Sequence, residues 1–237
     1  MNEDQMQNVL YPPRGDNLQK VGGNLIYTPF GPCVGYTQLS KGLLRKLNKC
    51  CDDHVKGKKP LEPHADYLVG KVTEEPIIPE HLVKEIMDEI YQTMCNFILT
   101  IKSREVKQQI SPAENLQMVF NASSAWFVRQ YKNEYNPLHI HTACNISCIG
   151  YLKIPDTIEK DRQNDPKNFR NMSHGMTEFV YGQPYDILPN ATNFRIKPEV
   201  GDFWVFPSTL QHQVYPFQSK GERRSFSINM NFELKSK

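Results

Sequence analysis

The sequence has no apolar run approaching the ~18 residues that a membrane-spanning helix needs, so no such helix is expected. It has little charge imbalance: 28 basic against 26 acidic side chains leave a formal net charge of +2, which argues against electrostatic binding of nucleic acid. It lacks the basic start and apolar stretch of a signal peptide, because MNEDQMQNVLYPPRGDN is polar and acidic. The expectation is a cytoplasmic protein that is not secreted. On that expectation the six cysteines are free thiols, and the sequons at Asn121, Asn145, Asn171 and Asn190 carry no meaning. No CxxC pair occurs, since Cys50 and Cys51 are adjacent, Cys33 and Cys95 isolated, and Cys144 and Cys148 four apart. Repeats, low-complexity tracts and Gly/Ser linkers are missing too. Their absence leaves one domain over residues 1–237, long enough to bury a core without disulfide or metal staples.

Within that domain two parts differ in period. Residues 1–115 hold an irregular segment and supporting helices. The first 35 residues are rich in Gly and Pro and read as irregular chain with one short strand at most. A helix is predicted from Gln38 to Cys51, with Leu39, Leu43, Leu44 and Leu47 on one stripe. A longer one runs from Pro79 to about Ser103, its Leu82, Ile86, Ile90, Met94, Phe97 and Ile101 recurring at three and four. That single stripe predicts packing on the outside of a sheet. After Gln117 the period becomes two: QMVFNASSAWFVRQY, SCIGYLKI, TEFVYG, DFWVFP and RRSFSINMNFEL read as strands, and the polar segment from Asp156 to Thr177 as a loop. Helices first and short strands afterwards give an α+β chain whose β part, residues 116–237, is a sandwich or barrel.

The chemistry concentrates in three stretches. In NPLHIHTACNISC, His139 and His141 fall on one face of a strand, so both imidazoles can meet one metal ion; two surface histidines alternating on an edge strand is the competing reading. In GDFWVFPSTLQHQ, Gly201 and Asp202 mark a turn before an apolar strand, Pro207 and His212. A third histidine on a later strand is how jelly-roll proteins complete a mononuclear iron site, though a turn histidine bonded to backbone would look the same. In GERRSFS, Arg223 and Ser225 share a strand face and make a good carboxylate clamp, while Arg224 goes with Phe226 on the other.

The order Tyr131, His139-x-His141, Gly201-Asp202, Pro207, His212, Gly221-x-Arg223-x-Ser225 resembles that of the 2-oxoglutarate/Fe(II)-dependent dioxygenases. It is most similar to their prolyl-hydroxylase-like branch carried by many bacteriophages, marine ones above all, which DYLVGKVTEEPIIP resembles as well. The resemblance spans about residues 66 to 234. It implies a double-stranded β-helix (jelly-roll) core with N-terminal helices on the outside of the major sheet, and the host cytoplasm as location if the chain is viral. It implies Fe(II) held by His139, His141 and His212, 2-oxoglutarate held by Arg223, Ser225 and Tyr131, and O2 as the oxidant. The reaction implied is hydroxylation of a primary substrate, a peptidyl prolyl or another small C–H target, with release of succinate and CO2. Beyond the metal ligands no catalytic residue is implied, and a homo-oligomer is compatible with the sequence.

One departure accompanies the resemblance. Most of the superfamily carries H-x-D, where this chain has His141. If His141 is not a ligand, Asp156 or Glu178 could supply a carboxylate. A cupin-type three-histidine dioxygenase without 2-oxoglutarate is the nearest rival, although TACNIS lacks the Glu that a cupin places after HxH. A zinc site built from His139, His141, Cys144 and Cys148 is a further option, weakened because Cys144 sits at an odd spacing from the histidines. A catalytically silent binding or virion-associated module is the reading from a different class.

Overall fold

A chain that alternates apolar and polar residues at every second position buries one face of each strand, and stacking two sheets closes a core between them. The structure, a computed structural model, describes residues 18–21, 24–27, 31–64, 70–105, 116–163, 173–182 and 193–236. In chain order they form β1 (Leu18–Val21), β2 (Asn24–Tyr27), β3 (Val34–Gln38), α1 (Lys41–Val55) and α2 (Glu80–Glu105). There follow β4 (Leu116–Gln130), β5 (Asn136–His139), β6 (Ile146–Lys153), α3 (Thr157–Gln163), β7 (Thr177–Val180), β8 (Asn193–Ile196), β9 (Asp202–Pro207), β10 (Gln211–Val214) and β11 (Arg223–Ser236).

The strands make a seven-stranded sheet ordered β1-β2-β3-β9-β6-β11-β4 and a four-stranded sheet ordered β5-β10-β7-β8, with every pairing antiparallel. From β4 onward the strands alternate between the two sheets except at the β7–β8 pair, with β4, β6, β9 and β11 in the larger and β5, β7, β8 and β10 in the smaller. That winding is the double-stranded β-helix, and the α+β architecture expected from the sequence is the one observed.

The major sheet buries both faces. On its outer side Ile86, Ile90 and Phe97 of α2 pack with Phe127, Phe203, Val205, Phe226 and Ile228 into one cluster. Ser40 caps α1, its Oγ accepting from Leu43 N at 3.2 Å, and Leu43, Leu47 and Cys51 face the same cluster. The inner side carries Ile149, Tyr151, Trp204 and Phe206, which meet Phe179, Phe194 and Ile196 of the minor sheet.

Several boundaries differ from the sequence expectation. The N-terminal region holds β1, β2 and the start of β3, not one short strand, because pairing with β9 extends the sheet where local composition favours turns. The polar segment after Asp156 begins with α3, anchored by Ile158 in the core; residues 164–172 of that expected loop lie outside the described residues. Residues 66–69 of the DYLVGKVTEEPIIP stretch do so as well, and its remainder pairs with β4: Phe127 N donates to Pro76 O at 2.8 Å and Arg129 N to Glu74 O at 2.9 Å. Gly201 sits at φ +98° in the turn before β9, with Asp202 accepting from Tyr36 Oη and the Glu199 N–H. Among the described residues no helix is long and apolar enough to cross a membrane.

Candidate active site

Strand pairing, not proximity in sequence, assembles the histidines. His139 ends β5 and stands directly across the ladder from His212 of β10. His141 lies two residues beyond the end of β5, where its backbone N–H donates to Ser208 O at 2.9 Å. The Nε2 atoms of His139 and His141 come within 3.3 Å, and one ligand atom from each of the three residues lies within 4.8 Å of the others.

The second nitrogen of each ring has its own partner. His139 Nδ1 is 2.7 Å from Pro137 O, His212 Nδ1 is 2.9 Å from Leu210 O, and His141 Nδ1 is 2.7 Å from Asn229 Oδ1. A carbonyl oxygen can only accept, so each Nδ1 carries the hydrogen and each Nε2 keeps its lone pair for the cavity. Asn229 is itself oriented, taking a second bond from Ser147 Oγ at 2.8 Å. Burial, reinforced by the neighbouring imidazoles, holds the His212 pKa well below its usual value. Burial likewise takes that of His141 down to about 4 and lowers that of His139. Three neutral imidazoles with convergent lone pairs and fixed tautomers suit a borderline divalent ion such as Fe(II).

The cavity beside them is walled by Trp126, Val128, Ile149, Phe206 and Val214, with Arg223, Ser225 and Thr177 at one end. Arg223 is 0% exposed. Its Nε donates to Gly175 O at 3.0 Å, its Nη1 to Ser225 Oγ and its Nη2 to Thr177 Oγ1, both at 3.3 Å. The guanidinium lies 5.1 Å from the Tyr151 ring centroid, and the Tyr151 hydroxyl is 2.7 Å from Thr177 Oγ1. Among the described residues no carboxylate pairs with it, and burial pushes its pKa below the usual arginine value. A buried cation whose bonded partners are all neutral, and which feels the like charge of Arg162, is prepared for an anion.

Not every residue singled out in the sequence arrives here. The structure brings together His139, His141, His212, Arg223 and Ser225. It leaves Tyr131 outside the cavity lining, its hydroxyl bonded to the Arg129 guanidinium. The carboxylates considered in place of His141 are elsewhere: Glu178 accepts from Asn193, Arg195, Gln213 and Tyr215 on the outer face of the minor sheet, and Asp156 precedes α3. Among the described residues the metal-ligating group is the three histidines without Cys144 or Cys148, which corrects the zinc alternative. Cys148 points to the outer cluster instead.

Tyr151, Thr177 and Asn229 are additions. Asn229 was readable, since positions 223, 225, 227 and 229 share one strand face. Tyr151 and Thr177 come from other strands and carry no local signal.

Residues 124–229 match the model of the family described as "Putative 2OG-Fe(II) oxygenase". Among solved structures the chain is similar to a prolyl-4-hydroxylase of Pseudomonas putida, at 15% identity and a TM-score of 0.49, over 83% of this chain and 91% of that one. It is similar to the viral collagen prolyl hydroxylase of Paramecium bursaria Chlorella virus-1 in complex with 2OG, at 16% identity, a TM-score of 0.47 and 83% and 94% coverage. HygX from Streptomyces hygroscopicus with nickel and 2-oxoglutarate gives 9%, 0.49, and 83% and 82%. None of the curated proteins matches the sequence.

Proposed function

We propose that this chain, whose jelly-roll core is a 2OG-Fe(II) oxygenase domain, hydroxylates a C–H bond of a primary substrate at a three-histidine iron centre. The cofactors of the family are Fe(II), 2-oxoglutarate and O2. When bound, the ferrous ion and 2-oxoglutarate activate dioxygen, placing one oxygen atom in succinate as CO2 leaves and the other in the C–H bond. The rest of the work belongs to the chain.

His139, His141 and His212 would hold the ion through Nε2 on one side, leaving the cavity side for cosubstrate and oxygen. Pro137 O, Leu210 O and Asn229 Oδ1 keep those rings in the ligating tautomer. Arg223 would receive the far carboxylate of 2-oxoglutarate, with Ser225 beside it and Thr177 and Tyr151 bracing the guanidinium. Tyr131 has no part in this clamp. Val128, Ile149, Phe206 and Val214 keep the site poor in water, which strengthens each charge interaction inside it. Three imidazoles bring no negative charge to the ion, so the dianionic cosubstrate offsets it. The primary substrate, a peptidyl prolyl or another small C–H target, would approach from the end opposite Arg223.

The observation that carries this reading is the fully buried Arg223, without a carboxylate partner among the described residues, in the wall of a cavity that the three histidines also line. It is tested by reconstituting the protein anaerobically with Fe(II) and measuring bound iron and succinate release. The expected result is one ion per chain and succinate only when both Fe(II) and 2-oxoglutarate are present, with both lost in His212→Ala. Iron bound without any dependence on 2-oxoglutarate would favour the cupin-like chemistry. A metal held without turnover would favour a silent binding module.

A further inference from the structure

The same charge argument, with the sign reversed, applies to an acidic residue of the same cavity. Glu75 lies in the extended segment that pairs with β4. Glu74 bridges Arg129 on the outer face of that pairing and Ile77 bridges Trp126 on the inner, so alternation turns Glu75 inward. Its side chain lines the cavity together with Gly70, Trp126, Asn136 and the three histidines. It is half-buried, and the Trp126 indole is the one neighbour that opposes the rise in its pKa. No lysine or arginine among the described residues pairs with it; the charged group it feels is Glu134, of its own sign. Burial first, and Glu134 after it, push its pKa up to about 7. A carboxylate half removed from water without a cation beside it is costly, and folded proteins ordinarily pair such groups.

We propose that Glu75 is a specificity-determining residue, and that the primary substrate presents a cationic nitrogen, an ammonium or guanidinium group, to its carboxylate. This inference rests on the oxygenase reading above for the place where the substrate enters. The cavity then sorts its occupants by charge: the anionic cosubstrate goes to Arg223, the cationic end of the substrate to Glu75.

The test is ligand-observed NMR on the protein loaded with Zn(II) and 2-oxoglutarate, which reads binding without turnover. The probes are n-butylammonium, n-butylguanidinium and their neutral counterpart n-butanol. The expected result is that the two cations bind at least about tenfold more tightly than butanol. That preference falls below about twofold in Glu75→Gln and survives in Glu75→Asp. Absence of the preference in the unmodified protein, including failure of every probe to bind, overturns the inference, and this outcome needs no variant to fold. A preference that persists in Glu75→Gln overturns it as well and points to Glu134. Succinate release by the unmodified protein tests the oxygenase reading separately. If release is absent while the cation preference holds, that reading fails; if release is present without the preference, only the assignment to Glu75 fails.

Discussion

Arg223 and Arg224 are consecutive residues of one strand, equally hidden from solvent, and they live in opposite surroundings. Arg224 belongs to the outer face of the major sheet, where it donates to Glu222 at 3.0 Å and to Asp52 and Asn48 of α1 at 2.8 and 3.0 Å. Glu222 also takes bonds from Arg129 Nε and Lys153 Nζ, so every charge on that side is answered by another. Arg223 has only a carbonyl, two hydroxyls and a tyrosine ring. Both arrangements bury a guanidinium, and burial alone therefore does not separate structure from function. The identity of the partners does. A buried charge met by opposite charge holds elements together, here α1 to the sheet. One met by neutral groups waits for something from outside the chain.

The contrast is sharpest if exchanging the two residues has unlike consequences. Arg223→Met should weaken 2-oxoglutarate binding by about 2–5 kcal/mol, at least thirtyfold, with little change in melting temperature. Arg224→Met should do the reverse. Titration of the metal-loaded protein with 2-oxoglutarate, alongside thermal unfolding, reads both, and equal effects of the two on binding would break the comparison. The outer cluster offers the next test. Ile90 is fully buried in it, so Ile90→Ala should cost roughly 2–5 kcal/mol in denaturant unfolding while the folded fraction still binds its metal. Loss of metal binding without loss of stability would show that α2 belongs to the active site.

On the inner face, Asn229→Ala frees the His141 tautomer and should reduce Zn(II) affinity by roughly tenfold to a hundredfold in a chelator competition. An unchanged affinity would mean that His141 is not held for ligation. The smallest effect concerns acid. Burial alone would raise the pKa of Glu222, but its arginine partners outweigh that and bring it from 4.5 to about 2. Its contribution to stability is therefore complete above about pH 4.5 and fades as the pH falls toward 2. Glu222→Gln should flatten the dependence of melting temperature on pH across that window. A variant that follows the parent curve would show the ion network to be ornamental.

Much of this was legible because it obeys short periods. The α2 stripe at three and four gave both the helix and the sheet side it covers, and period two separated Arg223 from Arg224. His139 and His141 could be paired from their spacing, and their meeting with His212 followed from the family order. What stayed hidden depends on partners distant in sequence. β8 and β10 are four-residue strands defined by their neighbours more than by their own composition. β1 and β2 exist in a turn-rich region because a sheet edge was available to extend. Tyr131 matched the family pattern, yet its hydroxyl goes to Arg129, and Tyr151 from another strand lies against Arg223 instead. Glu75 sits in a stretch whose sequence offers resemblance without chemistry, and only the pairing with β4 turns it inward.

The three ring anchors differ in how far they reach along the chain. His139 and His212 each lean on a carbonyl two residues earlier, Pro137 and Leu210, so their orientation is settled locally. His141 leans on Asn229, 88 residues away and on the last strand to be made. During synthesis the third claw cannot close until the strand carrying Asn229 is made, 17 residues after His212, and that strand also delivers Arg223. On the proposed function, the places for ion and cosubstrate are thus completed together, when β11 docks. Until then the nascent chain offers no complete cradle in which iron and oxygen could meet without a cosubstrate to consume their chemistry.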